Sequence, residues 1–477
     1  MKTSIKHPFI VSALIAGLGL MLTGRGMAQT FRTLYSFTGG SDSAGPGWLI
    51  SSGNTLYGTA GGTLFSVHTD GTGFSTFYSG SNSPNDLILS GGFLYGAGGD
   101  GDYGSGTVVA IHTDGTGFTT LYSFTPTSGF PDYVNSDGAF PQGLILSGNT
   151  LYGTTTRGGN GSGTVFSINT DGTGFTTLYS FGALSPGPPY VNSDGAWPGI
   201  LILSGNSLYG TAHVGGSSGN GIVFTLNTDG TGFKTLHSFT AIDSNDHNAD
   251  GAFPRAGLIL SSNTLYGTAD FGGSLGSGTV FKVNTNGTGF RTVHSFSSGV
   301  IVTGPGGLVM SGNILYGTTY GGVSASGSVF SVKTDGTGFT TLYSFTEFGI
   351  YADNSGQNFQ TNSDGVGPGA PFLVLSSNTL YGTCSSGGSS GLGTVFSLAL
   401  PVIPPQLTII PSGANVILTW PTNYAGFDYS GFTLQSTTNL VSPAIWTTNS
   451  PAPVIVNGQN TVTNPIFGTQ QFFRLSP

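Results

Sequence analysis

A chain of 477 residues with 83 glycines and only 6% Asp, Glu, Lys and Arg is neither a coiled coil nor a bundle of ion-paired helices. Its 37% hydrophobic and 12% aromatic content excludes disorder, and 11 basic against 20 acidic residues leave no electrostatic footprint for a nucleic acid. What remains is an all-β chain rich in turns. At the N-terminus, Lys2, Lys6 and His7 precede an apolar run from Phe9 to Leu22 and then Gly26-Met27-Ala28. That layout predicts a signal peptide over residues 1–28, cleaved after Ala28. The run is shorter than the roughly 20 residues that a spanning helix needs, and no second long apolar stretch occurs later in the chain. The expectation is a secreted or cell-surface protein without membrane insertion of the mature chain. With Cys384 the single cysteine, no internal disulfide can form.

A repeat dominates the chain beyond this leader. Leu-Tyr-Gly recurs seven times, with tyrosines at Tyr57, Tyr95, Tyr152, Tyr209, Tyr266, Tyr316 and Tyr381. One unit predicts four short strands: A over Gly143–Leu146, B over Thr150–Thr154, C over Gly163–Asn169 and D over Phe175–Phe181. Ser-Gly-Asn between A and B, and Thr-Asp-Gly-Thr-Gly between C and D, supply the positive-φ positions of tight hairpins. Strands C and D carry apolar groups at both parities, as strands covered on both faces do. Four antiparallel strands per repeat predict a β-propeller, and the rival parallel β-helix has shorter coils. D-type segments also number seven, but the first, Phe31–Phe37, precedes the first Leu-Tyr-Gly, and the last unit stops after its C strand, Gly393–Leu398. The expected architecture is a seven-bladed β-propeller over residues 30–400, closed by the N-terminal strand.

In such a blade the B–C and D–A connections share one rim, and the variable loops lie there. Four D–A loops share an Asn-x-Asp-Gly core that carries Asp137, Asp194, Asp250 and Asp364, and three continue into Phe140-Pro141, Trp197-Pro198 and Phe253-Pro254. Asx residues form such turns unaided. The functional reading is an Asp-and-aromatic rim contacting glycan or protein, with binding candidates Asp137, Phe140, Asp194, Trp197, Asp250, Phe253 and Asp364. Asp246, Asn248 and Asp250, followed by Gly251, alternate oxygen donors as a calcium loop does, although Gly257 stands where a bidentate Glu would complete it. Calcium is the one cofactor the pattern raises. Glycoside hydrolysis needs two carboxylates at a set separation, and the four rim Asp residues occupy equivalent positions instead, so no catalytic residue is assigned.

From Pro401 the repeat stops. Residues 401–405 read as a Pro-rich linker and 406–477 as a small β-sandwich. Within it Val416–Trp420 resembles the second strand, with its Trp, of a fibronectin type III module. The repeat itself, Leu-Tyr-Gly-Thr…Gly-Thr-Val-Phe-Ser…Thr-Asp-Gly-Thr-Gly-Phe…Leu-Tyr-Ser-Phe, resembles the bacterial GloVer tandem repeat over about residues 31–400. That resemblance implies an exported bacterial protein and carries over no catalytic residue. The sequence thus points to a non-catalytic binding or scaffold propeller whose loop face meets glycan or protein. The alternative is a polysaccharide-acting propeller enzyme using rim Asp residues.

Overall fold

The computed structural model describes residues 30–128, 133–297, 305–321, 326–352, 358–368, 373–400, 405–424, 427–428, 432–441, 444–448, 452–465 and 471–476. The expected signal peptide and most of the linker lie outside these residues. The described chain is all-β, and its repeat region forms consecutive antiparallel sheets of four strands. The third sheet is representative: Ala139–Ser147, Thr150–Arg157, Thr164–Asn169 and Thr176–Ser180 pair in chain order. Its strand A is longer than the sequence suggested, because it runs back through Phe140 and Pro141. The fourth sheet splits the same strand into Ala196–Pro198 and Ile202–Ser204, both paired with Ser207–Val214.

The Leu-Tyr-Gly signature is a packing instruction. Leu151 is buried against one neighbouring sheet and Tyr152 packs toward the other. Gly153 leaves room for the strand-C Phe, since a Cβ there would lie 2.5 Å from Phe166 Cζ. The C–D turn is locked by Asp171, whose carboxylate accepts from Thr173 N (2.9 Å) and Thr173 Oγ1 (2.7 Å). Those bonds to the charged form hold its carboxyl below the ordinary range.

Apolar clusters bridge each sheet to the next. Tyr95, Val108 and Ala110 of the second sheet pack on Leu144, Leu151 and Phe166 of the third, and Tyr316 and Val329 of the sixth pack on Leu380 and Phe396 of the last. The last sheet packs back on the first through Tyr381 and Val395 against Leu49, Leu56 and Phe65. Its strands are Val374–Ser376, Thr379–Cys384 and Thr394–Ala399, and the fourth is Phe31–Ser36, paired antiparallel with Phe31 opposite Leu398. At the outer edge, the Phe that opens each strand D stacks on the Tyr or His of the preceding strand D. Examples are Tyr35–Phe74 at 3.5 Å, His237–Phe290 at 3.5 Å and His294–Phe339 at 3.9 Å between centroids. Phe31 makes the corresponding contact on Tyr343, at 3.9 Å and 4°.

Two expectations need amendment. The D–A connection that carries Asp364 is not loop throughout, because Gly349–Ala352 and Asn358–Thr361 form a hairpin of their own. Ile350, Tyr351 and Phe359 supply β-favouring side chains there. In the C-terminal segment, Thr408–Ser412 and Gln459–Pro465 are strands that the sequence reading passed over. They join Asn415–Pro421 and Val454–Val456 in one sheet, and Thr433–Thr437, Thr447–Thr448 and Phe472–Ser476 form another. Leu418, Trp420, Leu434 and Val462 are their shared core.

Candidate functional site

The Asn-x-Asp-Gly loops are stitched into the fold on both sides of the motif. Asn135 donates from Nδ2 to Thr125 O (2.9 Å) and Gly138 O (2.8 Å), while its Oδ1 accepts from Gly138 N (2.9 Å) and Gly159 N (3.2 Å). Asn192, Asn248 and Asn362 repeat this bond to the following B–C loop, with Gly216, Gly273 and Gly388 as donors. The two loop types therefore share one rim, as expected.

The neighbouring Asp turns inward. Asp137 accepts from Tyr122 Oη (3.0 Å), Thr125 N (2.9 Å) and Thr125 Oγ1. Asp194 accepts from Tyr179 Oη at 2.8 Å, and Asp364 from Tyr343 Oη at 2.7 Å. Asp42, which the sequence reading left out, does the same with Tyr35 Oη at 2.9 Å. At Asp250 the partner is His237 Nε2, 2.9 Å away. Burial raises the Asp250 carboxyl, and the bonds from His237 and Thr240 outweigh it and leave the group below its ordinary value. On the phenols burial and the adjacent carboxylate act together, and they push Tyr35 up to about 12. These four candidate carboxylates are buried, and each accepts hydrogen bonds inside the protein, at Asp194 through Oδ2 from Tyr179 Oη and Gly182 N.

The calcium pattern meets the same chemistry. Asn248 Oδ1 accepts from Gly251 N and Gly273 N, and both oxygens of Asp250 are engaged by Thr240 and His237. Loop order comes instead from Asp243, whose Oδ1 accepts from Asn245 N (2.8 Å) and His247 N (2.9 Å). Among the described residues no three acidic, His or Cys side chains gather as a metal site.

The aromatic candidates behave differently. Phe140, Trp197 and Phe253 have φ of 56°, 57° and 59°, in the left-handed region. Each donates its N–H to the preceding sheet: Phe140 to Ser105 O (2.7 Å), Trp197 to Ser162 O (2.8 Å) and Phe253 to Asn220 O (2.8 Å). Gly45 and Gly367 hold the same place, at φ of 62° and 68°, and make the same bond to Leu392 O and Ser326 O. Glycine adopts this backbone without penalty, whereas a side chain makes it cost about 1–2 kcal/mol. Three successive sheets nevertheless put large rings there. Strain of this kind concentrates at functional sites.

The rings join into a strip along the rim. Tyr133 meets Phe140 at 6.2 Å, Trp197 meets His213 at 6.1 Å, His213 meets Phe253 at 5.6 Å, and Phe253 meets Phe271 at 5.9 Å. Arg157 lies between Tyr133 and Trp197, its Cζ 4.1 Å from the Trp197 ring. Phe140 and Phe271 are 44% and 40% exposed. Burial pushes the His213 imidazole down to about 4, with the Arg255 charge adding to the effect, so it is neutral at ordinary pH. Burial also pushes Asp270 up to about 6 against the opposing pull of Arg255. Beside Gly367, where the loop lacks a ring, Tyr320 of the neighbouring sheet stands over the glycine and is 45% exposed. Arg157, Tyr320 and Phe271 were missed in the sequence, although each departs from the repeat just past Leu-Tyr-Gly-Thr. A strip of presented rings with few charges offers apolar surface for a ligand to stack on, and Asp137, Asp194, Asp250 and Asp364 hydrogen-bond inward, away from it.

A family model described as the Gloeobacter/Verrucomicrobia repeat matches residues 60–246 and 190–362, more than half of the chain. No curated protein matches the sequence. Among solved structures the chain is similar to YCF48 from Cyanidioschyzon merolae, with 11% identity, a TM-score of 0.48, and coverage of 78% of this chain and 99% of that one. BamB from Moraxella catarrhalis aligns with 15% identity and a TM-score of 0.39 over 73% and 83% of the two chains. The extracellular domain of BT4673 from B. thetaiotaomicron aligns with 13% identity and a TM-score of 0.46, covering 88% of this chain and 47% of that one.

Proposed function

The chain belongs to the Gloeobacter/Verrucomicrobia repeat family, and from that premise we propose that it is an exported, non-catalytic binding scaffold. In this reading residues 30–400 are a seven-bladed propeller, residues 406–477 a fibronectin type III-like sandwich, and the ligand is a glycan held against the aromatic strip. The observation that carries it is the placing of Phe140, Trp197 and Phe253 on left-handed backbone that Gly45 and Gly367 occupy without strain. Folding alone is served at least as well by glycine, so the rings are there for what they present. Protein partners are the second ligand class for such a face.

The test is a glycan array and a bead pull-down with the full chain and its Phe140→Ala, Trp197→Ala and Phe253→Ala variants, alongside a reducing-end assay. Retention on polysaccharide that falls in each variant, with no product released, supports the reading. Product release abolished by Asp137→Asn alone would replace it with hydrolysis, and undiminished retention in all three variants would remove the strip from the function. Export is tested separately: N-terminal sequencing of the protein recovered outside the cell should begin at Gln29.

A further inference from the structure

We propose that Arg157 is a carboxylate-reading position on the aromatic strip, and that the strip takes an acidic polysaccharide whose uronate groups this guanidinium engages. The inference rests on the glycan-binding reading above and adds the class of glycan.

Arg157 ends the strand Thr150–Arg157 and is half-buried. Its Cζ lies 4.1 Å from the Trp197 ring and 5.7 Å from the Tyr133 ring. A guanidinium laid on an aromatic face keeps its N–H donors in the exposed plane and loses little further freedom when they bond. Among the described residues no carboxylate takes them, and the ion pair within 4 Å is that of His237 with Asp250. Burial lowers the Arg157 pKa against an opposing pull from Tyr133, as for a cation partly stripped of water. At the equivalent positions, opposite Ala196, Ala252 and Val366, the fold places Val214, Phe271 and Ser386, so the repeat does not need a cation there. A flat fork of donors matches a planar carboxylate bidentately.

The rest of the strip favours a polysaccharide over an acidic peptide. Ring centroids follow one another at 5.6 to 6.2 Å, near-parallel at Trp197–His213 (20°), tilted at His213–Phe253 (47°) and edge-on at Tyr133–Phe140 (72°) and Phe253–Phe271 (86°), so a run of rigid sugar rings meets both faces and edges. An extended peptide is normally held through backbone bonds to a sheet edge, and here the N–H groups of Phe140, Trp197 and Phe253 are already taken by Ser105 O, Ser162 O and Asn220 O. The net charge of −9 means that no long-range field gathers a polyanion. Recognition is then short-range, and its salt dependence is shallow.

The experiment is titration of the full chain with polygalacturonate, its carboxyl-reduced neutral form, dextran sulfate and poly-glutamate, using the unaltered protein and Arg157→Gln, Arg157→Lys and Phe140→Ala, each checked for an unchanged urea midpoint. We expect polygalacturonate to bind tightest, and both Arg157 variants to weaken it at least about tenfold. Binding of the neutral polymer should be weaker and indifferent to Arg157, while Phe140→Ala should reduce binding of both polymers. Equal affinity for the two polymers with no effect of Arg157→Gln overturns the carboxylate assignment and leaves the aromatic reading standing. Absence of binding to either overturns both. Full rescue by Lys overturns the stacked-fork argument. Tighter dextran sulfate overturns the carboxylate in favour of a sulfate ester, and equal poly-glutamate overturns the glycan in favour of an acidic peptide.

Discussion

Replacing Phe140 by alanine and by glycine separates strain from packing. At an ordinary exposed strand position alanine is the more stable of the two, by about 0.5–1 kcal/mol, because glycine has more freedom to lose on folding. At Phe140 the backbone is held at φ 56° by the bond from its N–H to Ser105 O. A Cβ in that conformation costs about 1–2 kcal/mol, and alanine keeps this cost while glycine removes it. The order should therefore invert, with Phe140→Gly more stable than Phe140→Ala by roughly 0.8 kcal/mol, the midpoint of the about 0–1.5 kcal/mol span between the two terms. Paired urea unfolding curves, read by fluorescence on the full chain, resolve this, and Thr176, exposed in a strand D, serves as the ordinary control. The complementary change is Gly45→Ala, where the nearest atom to an added Cβ, Ser385 O, is 3.8 Å away. It introduces strain without a clash and should cost about 1 kcal/mol or more. If alanine is the more stable replacement at Phe140, Trp197 and Phe253 alike, these residues are not held against their preference and the case for a presented surface loses its foundation.

Three further outcomes rest on the packing. Asp137→Ala strands the Tyr122 hydroxyl and Thr125 N–H; a loss of about 3 kcal/mol is expected in thermal unfolding, against a much smaller loss for Asp171→Ala in its solvent-screened turn. Asp86 is fully buried, with Oδ2 accepting from Leu144 N at 2.8 Å, and burial pushes its carboxyl from 3.8 up to about 6. Between those values the native state holds a proton that the unfolded chain has released. The stability Asp86 contributes is thus present below about pH 4 and lost as pH rises through 6, by ~3 kcal/mol at about 1.4 kcal/mol per unit. Asp86→Asn should remove that segment of the pH–stability curve, and an unchanged slope contradicts the argument. Phe31→Ala deletes the ring stacked on Tyr343 and set edge-on to Phe345, costing about 2–4 kcal/mol. Proteolysis near the N-terminus should accelerate markedly, and an unaltered digestion pattern would show that this strand contributes little to holding the ring together.

Much of this fold was legible because repetition isolates positions. Seven Leu-Tyr-Gly segments and an unmatched leading Phe31–Phe37 were enough to expect the pairing with the strand ending at Leu398, since edge strands seek partners and only one was missing. The rim was harder to read. Asp137 and its counterparts invite a surface reading because acids are usually exposed, yet a Tyr or His on the preceding strand draws each inward, a partner 15 residues away for Asp137 that no local turn rule includes. The strain at Phe140 could have been inferred from register alone: Gly45-Pro46 and Gly367-Pro368 align with Phe140-Pro141, and glycine at that place in two copies points to left-handed backbone in the aligned ones. Arg157 and Tyr320 fall where the repeat loosens after strand B, so periodicity gave them no weight. The Gly349–Ala352 hairpin lay inside a segment whose polar composition resembled its plainer sisters.

The bond between the two ends of the array has a consequence for biogenesis. Thr33 donates to Ser363 O and Ser389 N to Ser36 Oγ, partners 330 and 353 residues apart. A ribosome adding about 5–20 residues per second needs roughly 20–70 seconds to deliver those partners. Throughout that interval Phe-Arg-Thr-Leu-Tyr-Ser-Phe, which emerges well before its partner strand, is an unpaired β-former able to join any neighbouring chain. Escorting that segment until its seat has been synthesised is therefore a requirement on whatever machinery handles the nascent protein.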